Sequence, residues 1–112
     1  MQGWKNRVTW QVWMYVSNDA EAMSDLRSRV VPIYKNYLPS SVFSRRGKAI
    51  EEVSEAVRKF IYRELDDLPW FHAMDSWAKG VFNSALDDVD WRSIGKLLIE
   101  NYEYAHNLEV RL

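Results

Sequence analysis

The side chains able to do chemistry in this sequence fall into three groups: two histidines, two runs of carboxylates and one run of cations. His72 and His106 stand far apart. Neither has the H-x-x-x-H or H-E-x-x-H spacing that sets two imidazoles on one helix face to hold zinc. His72 lies between Phe71 and Ala73 in an aromatic stretch and reads as a packed or half-exposed side chain. The runs ELDD at 64–67 and DDVD at 87–90 carry the oxygen donors that suit magnesium, and Asp87, Asp88 and Asp90 are the set a metal-dependent hydrolase would use. Each run, however, precedes an expected helix, where a carboxylate complements the positive end of the dipole by ~0.3–1 kcal/mol. Both are read as caps, so no metal and no other cofactor is expected.

Composition removes further chemistries. With no cysteine, disulfides, thiolate metal sites and cysteine nucleophiles are excluded, and a reducing interior fits. Gly3, Gly47, Gly80 and Gly95 are scattered singly, so the chain has neither a phosphate-cradling loop nor a G-x-S-x-G elbow. The expectation is a protein that is not an enzyme, placed in the cytoplasm of the cell that makes it. Its longest apolar runs are far below the ~20 residues of a membrane span, so no membrane partner is expected.

The cations concentrate in SRRGK at 44–48, with aromatic residues nearby. Arg45, Arg46 and Lys48 could contact phosphates while Tyr37 stacks on a base, which is the logic of a nucleic-acid-binding regulator. The sequence pI of about 6.1 argues against it, and it stands as the alternative. The leading reading is protein binding. Trp10, Trp77 and Trp91 fall on apolar stripes and read as core, whereas Trp4 and Trp13 belong to a helix apolar nearly all round, which either packs centrally or exposes them as anchors of a surface rimmed by Arg45 and Arg46. The partner would be another protein or a second copy of the chain, as in a homodimer.

These residues need elements to position them. A chain of 112 residues with 47% hydrophobic content fits a single domain spanning 1–112. Periodicity predicts an all-α bundle of about five helices. The clearest runs from Arg46 to Asp67, where Ala49, Ile50, Val53, Val57, Phe60 and Ile61 follow three-and-four spacing. Another is expected from Pro69 to Leu86, capped by Asp67, with Trp70, Met74, Trp77, Val81 and Phe82 inward. Asp90 should cap a last helix reaching His106.

Upstream, Asn6 should cap a first helix with Thr9 at its third position. Asn18 and Asp19 should close that helix in a left-handed turn, and Asp19 or Asn18 should start the next, Asn18 having capping-box spacing with Glu21. Pro32 should break that second helix, leaving 36–47 as an irregular loop. Gly80 and Gly95 interrupt helical patterns at ~1 kcal/mol each, which points to close helix packing at both.

The stretch Trp4, Asn6, Thr9, Trp10, Val12, Asn18, Asp19, written W-x-N-x-x-T-W-x-V-x(5)-N-D, resembles the start of a family of small uncharacterised proteins carried by phages, plasmids and other mobile elements. Val89, Asp90, Trp91 and Ile94 are similar to that family's second signature, V-D-W-x-x-I. The resemblance covers about thirty residues at opposite ends of the chain. It implies a mostly helical domain of mobile-element origin, without catalytic residues to carry over, and makes host machinery, including its defences, the implied target.

Charge is unevenly distributed. Residues 1–48 hold eight Lys or Arg against three Asp or Glu, and residues 49–112 hold seven against thirteen, so a net charge of −1 conceals halves of +5 and −6. Packing could interleave these charges or leave them segregated.

Overall fold

The computed structural model describes residues 4, 6–37 and 43–105, and every element among them is a helix. Helix α1 (Arg7–Asn18) starts where expected. The Asn6 side chain accepts from the Thr9 backbone N–H at 2.9 Å, satisfying one of the donors a helix start leaves unpaired. Asp19 ends α1 in extended backbone (φ −102, ψ 109), so the expected left-handed closure does not form. Of the two residues expected to start α2 (Ala20–Tyr37), Asp19 is the one that caps it, accepting from Ala22 N–H at 2.9 Å. One carboxylate thus marks both ends.

Pro32 does not break α2. It sits on the exposed face, where water can serve the carbonyl it leaves unbonded, while buried Leu26, Val30 and Tyr34 hold the helix to the core on either side. Helix α3 (Phe43–Asp66) begins earlier than its periodicity suggests, so the basic run at 44–48 is helical and not a loop. Residues 38–42 of the expected loop, and His106, lie outside the described residues.

The helix expected from Pro69 to Leu86 is two. Helix α4 (Pro69–Ala73) is a short segment whose N-cap position is Leu68, with no side-chain cap, so Asp67 does not serve that role. Helix α5 (Ser76–Asp87) restarts at Asp75, whose carboxylate accepts from Ala78 N–H at 2.8 Å. Helix α6 (Trp91–Ala105) follows, capped by Asp90 as expected through Ser93 N–H at 3.2 Å and the Ser93 hydroxyl at 2.7 Å.

Helix α3 is the axis of the bundle. Helix α6 runs antiparallel to it, since Arg46 meets Glu103, Ser54 meets Gly95, and the Tyr62 and Trp91 rings lie 6.4 Å apart. Helix α2 packs along another side, its Arg29 guanidinium 5.7 Å from the centre of the Phe60 ring. Leu26, Val30, Val53, Val57, Phe60, Ile94 and Ile99 fill the space between the three. A Cβ on Gly95 would stand 2.3 Å from Ser54 Oγ and 2.9 Å from Ser54 N, so the close packing inferred there is real. Gly80 has open space around it and serves no such contact. The result is one all-α domain of 49 × 25 × 22 Å, and no described helix is long and apolar enough to cross a membrane.

Candidate binding site

The residues singled out in the sequence do not gather into one site. Trp4 and Trp13 are half-buried, pack against the core, and face each other with ring centres 6.1 Å apart. Arg46 pairs with the buried carboxylate of Glu103, which joins the start of α3 to the end of α6. The Tyr37 hydroxyl donates a hydrogen bond to Glu52, while Lys48 is exposed on α3. Arg45 falls in the first turn of α3, and its side chain lies outside the described ones. Helix α1 meets α3 through Tyr15 and Glu64, eighteen residues and about 27 Å of helix beyond Arg46. The basic run therefore does not rim the Trp4 and Trp13 pair.

The two signature stretches do meet. Asn6 Nδ2 donates to the Asp88 carbonyl at 2.7 Å, the Thr9 hydroxyl donates to Asn6 Oδ1 at 2.7 Å, and the Asp90 N–H donates to Thr9 Oγ1 at 2.8 Å. Asp90 in turn holds Ser93. This relay ties the start of α1 to the junction of α5 and α6 around a fully buried Thr9, and every buried side-chain polar atom described has a partner. Asn6 and Thr9 from one end of the sequence and Asp88 and Asp90 from the other thus form one structural clasp.

Beside the clasp, α1, α3, α4 and α5 leave an open cleft of about 450 Å³. Its walls are apolar: Val12 from α1, Leu65 from α3, Trp70 from α4, Phe82 and Leu86 from α5. Phe82 sits 5.5 Å from Phe71 in an edge-to-face arrangement and 6.2 Å from Trp70, which fixes the wall. At the α1 side Tyr15 donates its hydroxyl to Glu64 Oε1 at 3.1 Å. Burial of the phenol, reinforced by that carboxylate, pushes its pKa up to about 12.

Aromatic surface continues beyond the cleft. Trp70 is 52% exposed, Trp77 78% and Val81 53%. Trp77, Val81 and Ala85 follow one another at four-residue spacing along α5, so this stripe runs into the cleft wall. Trp77 was expected in the core, and Trp70 on an inward face. The break at Met74 and Asp75 resets the phase of the apolar face, which turns Trp77 and Val81 outward. Trp10 is also half-buried, outside the core cluster, and Trp91 half-buried against it.

Carboxylates outnumber cations at this end, where Arg63 also stands in the last turn of α3. Residues 64–90 contain seven Asp or Glu and a single basic residue apart from His72, Lys79, whose ammonium lies 5.9 Å from the centre of the Phe71 ring. Asp75 and Asp90 are caps. The other five, Glu64, Asp66, Asp67, Asp87 and Asp88, lie in or just past the last turns of α3 and α5, where the helix dipole is already negative. Of the two acidic runs expected to cap, Asp90 does so, and these five stand at the opposite pole. No Lys or Arg among the described residues pairs with any of the five. His72 donates from Nε2 to the Asp66 carbonyl. Among the described residues no three His, Asp or Glu side chains are grouped to hold a metal ion.

No protein-family model matches the chain, and no curated protein or solved structure matches it either. The site is therefore interpreted from its own geometry.

Proposed function

We propose that this chain is a non-enzymatic binding protein of a phage or other mobile element, attaching to a protein of the host cell and obstructing it, with host defence among the candidate targets. The observation that carries the reading is the exposed stripe of Trp70, Trp77 and Val81 continuous with an apolar cleft. A contiguous apolar patch rimmed by polar residues is the form a protein contact surface takes, and tryptophan is enriched among the residues that anchor such contacts. Trp4 and Trp13 have less to offer a partner, because much of each ring already packs on the core. Arg46 is engaged by Glu103. The mobile-element part rests on the resemblance of the two signature stretches.

Affinity capture from host lysate tests this with three baits: wild type, a Trp70→Ser, Trp77→Ser double variant, and Trp13→Ala. The wild type and Trp13→Ala should retain the same protein, and the double variant should lose it while keeping its helical circular dichroism. Equal retention by wild type and double variant overturns the surface. No specific capture by any bait overturns the binding reading.

A further inference from the structure

Resting on that binding reading, we propose that the cleft receives a basic amphipathic helix of the partner protein. The helix would seat its apolar side chains between α1, α3 and α5 and hold its Lys or Arg side chains over the carboxylates at the ends of α3 and α5. Shape sets the first constraint. An open trough of about 450 Å³ accepts a few side chains projecting from one helix face, as amphipathic helices present them at three-and-four spacing.

Charge sets the second constraint and selects the occupant. Glu64, Asp66, Asp67, Asp87 and Asp88 stand where their own helices disfavour them, and the described chain supplies no Lys or Arg to pair with them. Glu64 uses Oε1 for Tyr15, and its second oxygen has no donor among the described residues. An incoming ammonium or guanidinium placed beside apolar anchors matches both features at once.

The same features disfavour other occupants. A phosphate backbone would be repelled by a segment that carries seven acids and one lysine. A second copy could offer its Trp77 and Val81 stripe as the knob, but α5 brings Asp75, Asp87 and Asp88 with it. Like charges would then face each other across the contact. Of the chain's own cations, the run Arg45, Arg46 and Lys48 lies at the start of α3, about 27 Å along that helix from Glu64, while Arg63 in the last turn of α3 and Lys79 on α5 form no described ion pair with these carboxylates.

The test uses the full chain and two synthetic peptides of about sixteen residues, long enough to form a helix on binding. They share leucine positions on one face and differ only in carrying lysine or glutamate on the other. Fluorescence anisotropy should give the lysine peptide about tenfold or greater preference at low ionic strength, shrinking as salt screens the charges. A Glu64→Gln, Asp87→Asn variant should reduce that preference severalfold with unchanged helical content. Ala85→Trp, at an exposed position on the cleft wall, should block the lysine peptide.

Equal affinity for both peptides overturns the basic character of the occupant but leaves the protein-binding reading standing. Failure to bind either peptide overturns the helix itself. If sedimentation of the chain alone shows a dimer that Trp77→Ser returns to monomer, a second copy fills the site and the proposal is wrong.

Discussion

The two ends of α3 carry the same electrostatic fault and resolve it differently. At its start, Arg46 and Lys48 sit at the positive pole of the helix, and at its end Glu64 and Asp66 sit at the negative pole. The first end is repaired from within, because buried Glu103 of α6 reaches Arg46 across the antiparallel seam. Among the described residues the second end has no such partner, and it opens instead onto an apolar cleft with exposed tryptophans. One end is closed by the fold. The other is arranged as if something outside the chain completes it.

Truncating an apolar side chain at each end gives the largest contrast. Ile99→Ala removes a fully buried residue from the α3 and α6 seam and should cost about 2–5 kcal/mol in urea denaturation. Trp77→Ala, at the cleft end, should move stability by no more than about 0.5 kcal/mol despite the larger side chain. Comparable losses would show that the stripe on α5 belongs to the fold.

The glycines give the next contrast, and its signs are opposite. Gly95→Ala must push α6 away from Ser54 and should destabilise by about 1–3 kcal/mol, measured by thermal melting. Gly80→Ala meets open space on a helix and should stabilise by about 1 kcal/mol.

Charge neutralisation sharpens the electrostatic half of the comparison. Glu103→Gln weakens the interaction that holds Arg46 and should cost about 1.5–3 kcal/mol. Asp87→Asn relieves a carboxylate at a helix C-terminus and should be neutral or stabilising by about 0.3 kcal/mol. A large loss from Asp87→Asn would mean that the acidic end is structural.

The smallest effect is a pH dependence in the alkaline range. Tyr15 is raised from 10 to about 12, and Tyr34 is raised further, chiefly by its burial with a contribution from Tyr102 at 4.2 Å. Raised phenol pKa values favour the neutral forms in the folded state. Their contribution is complete below pH 10, the ordinary tyrosine value, and is lost as pH climbs toward the folded values. Phenolate absorbance should therefore appear late and together with unfolding. In Tyr15→Phe, stability should fall less steeply above pH 10 than in wild type.

Helix class, the Asn6 and Asp90 caps, and the inward stripe of α3 were legible because each depends on local spacing. Gly95 was legible too, since a glycine on an inward helical face has few roles other than close approach. Gly80 looked the same in sequence but faces solvent, and only tertiary packing separates the two. Pro32 misled because its effect depends on which face it occupies. The acidic runs misled because a carboxylate between two helices can cap the second or crowd the end of the first, and the sequence leaves that choice open. Asp75 was the missed signal. A D-S-W-A stretch is a serviceable helix start, and reading it as one would have divided the Pro69 to Leu86 segment and turned Trp77 outward. Glu103 also left a trace, four residues beyond Ile99 on an inward stripe, where a lone carboxylate calls for a cation.

The six tryptophans provide a direct test of which end engages a partner. In a nitrogen-15 labelled sample, the indole N–H signals report each ring during titration with the lysine-faced amphipathic peptide. The account predicts that Trp70 and Trp77 shift and saturate together, while Trp4, Trp10, Trp13 and Trp91 stay in place. Shifts confined to Trp4 and Trp13, or saturation with no indole moving, would contradict it.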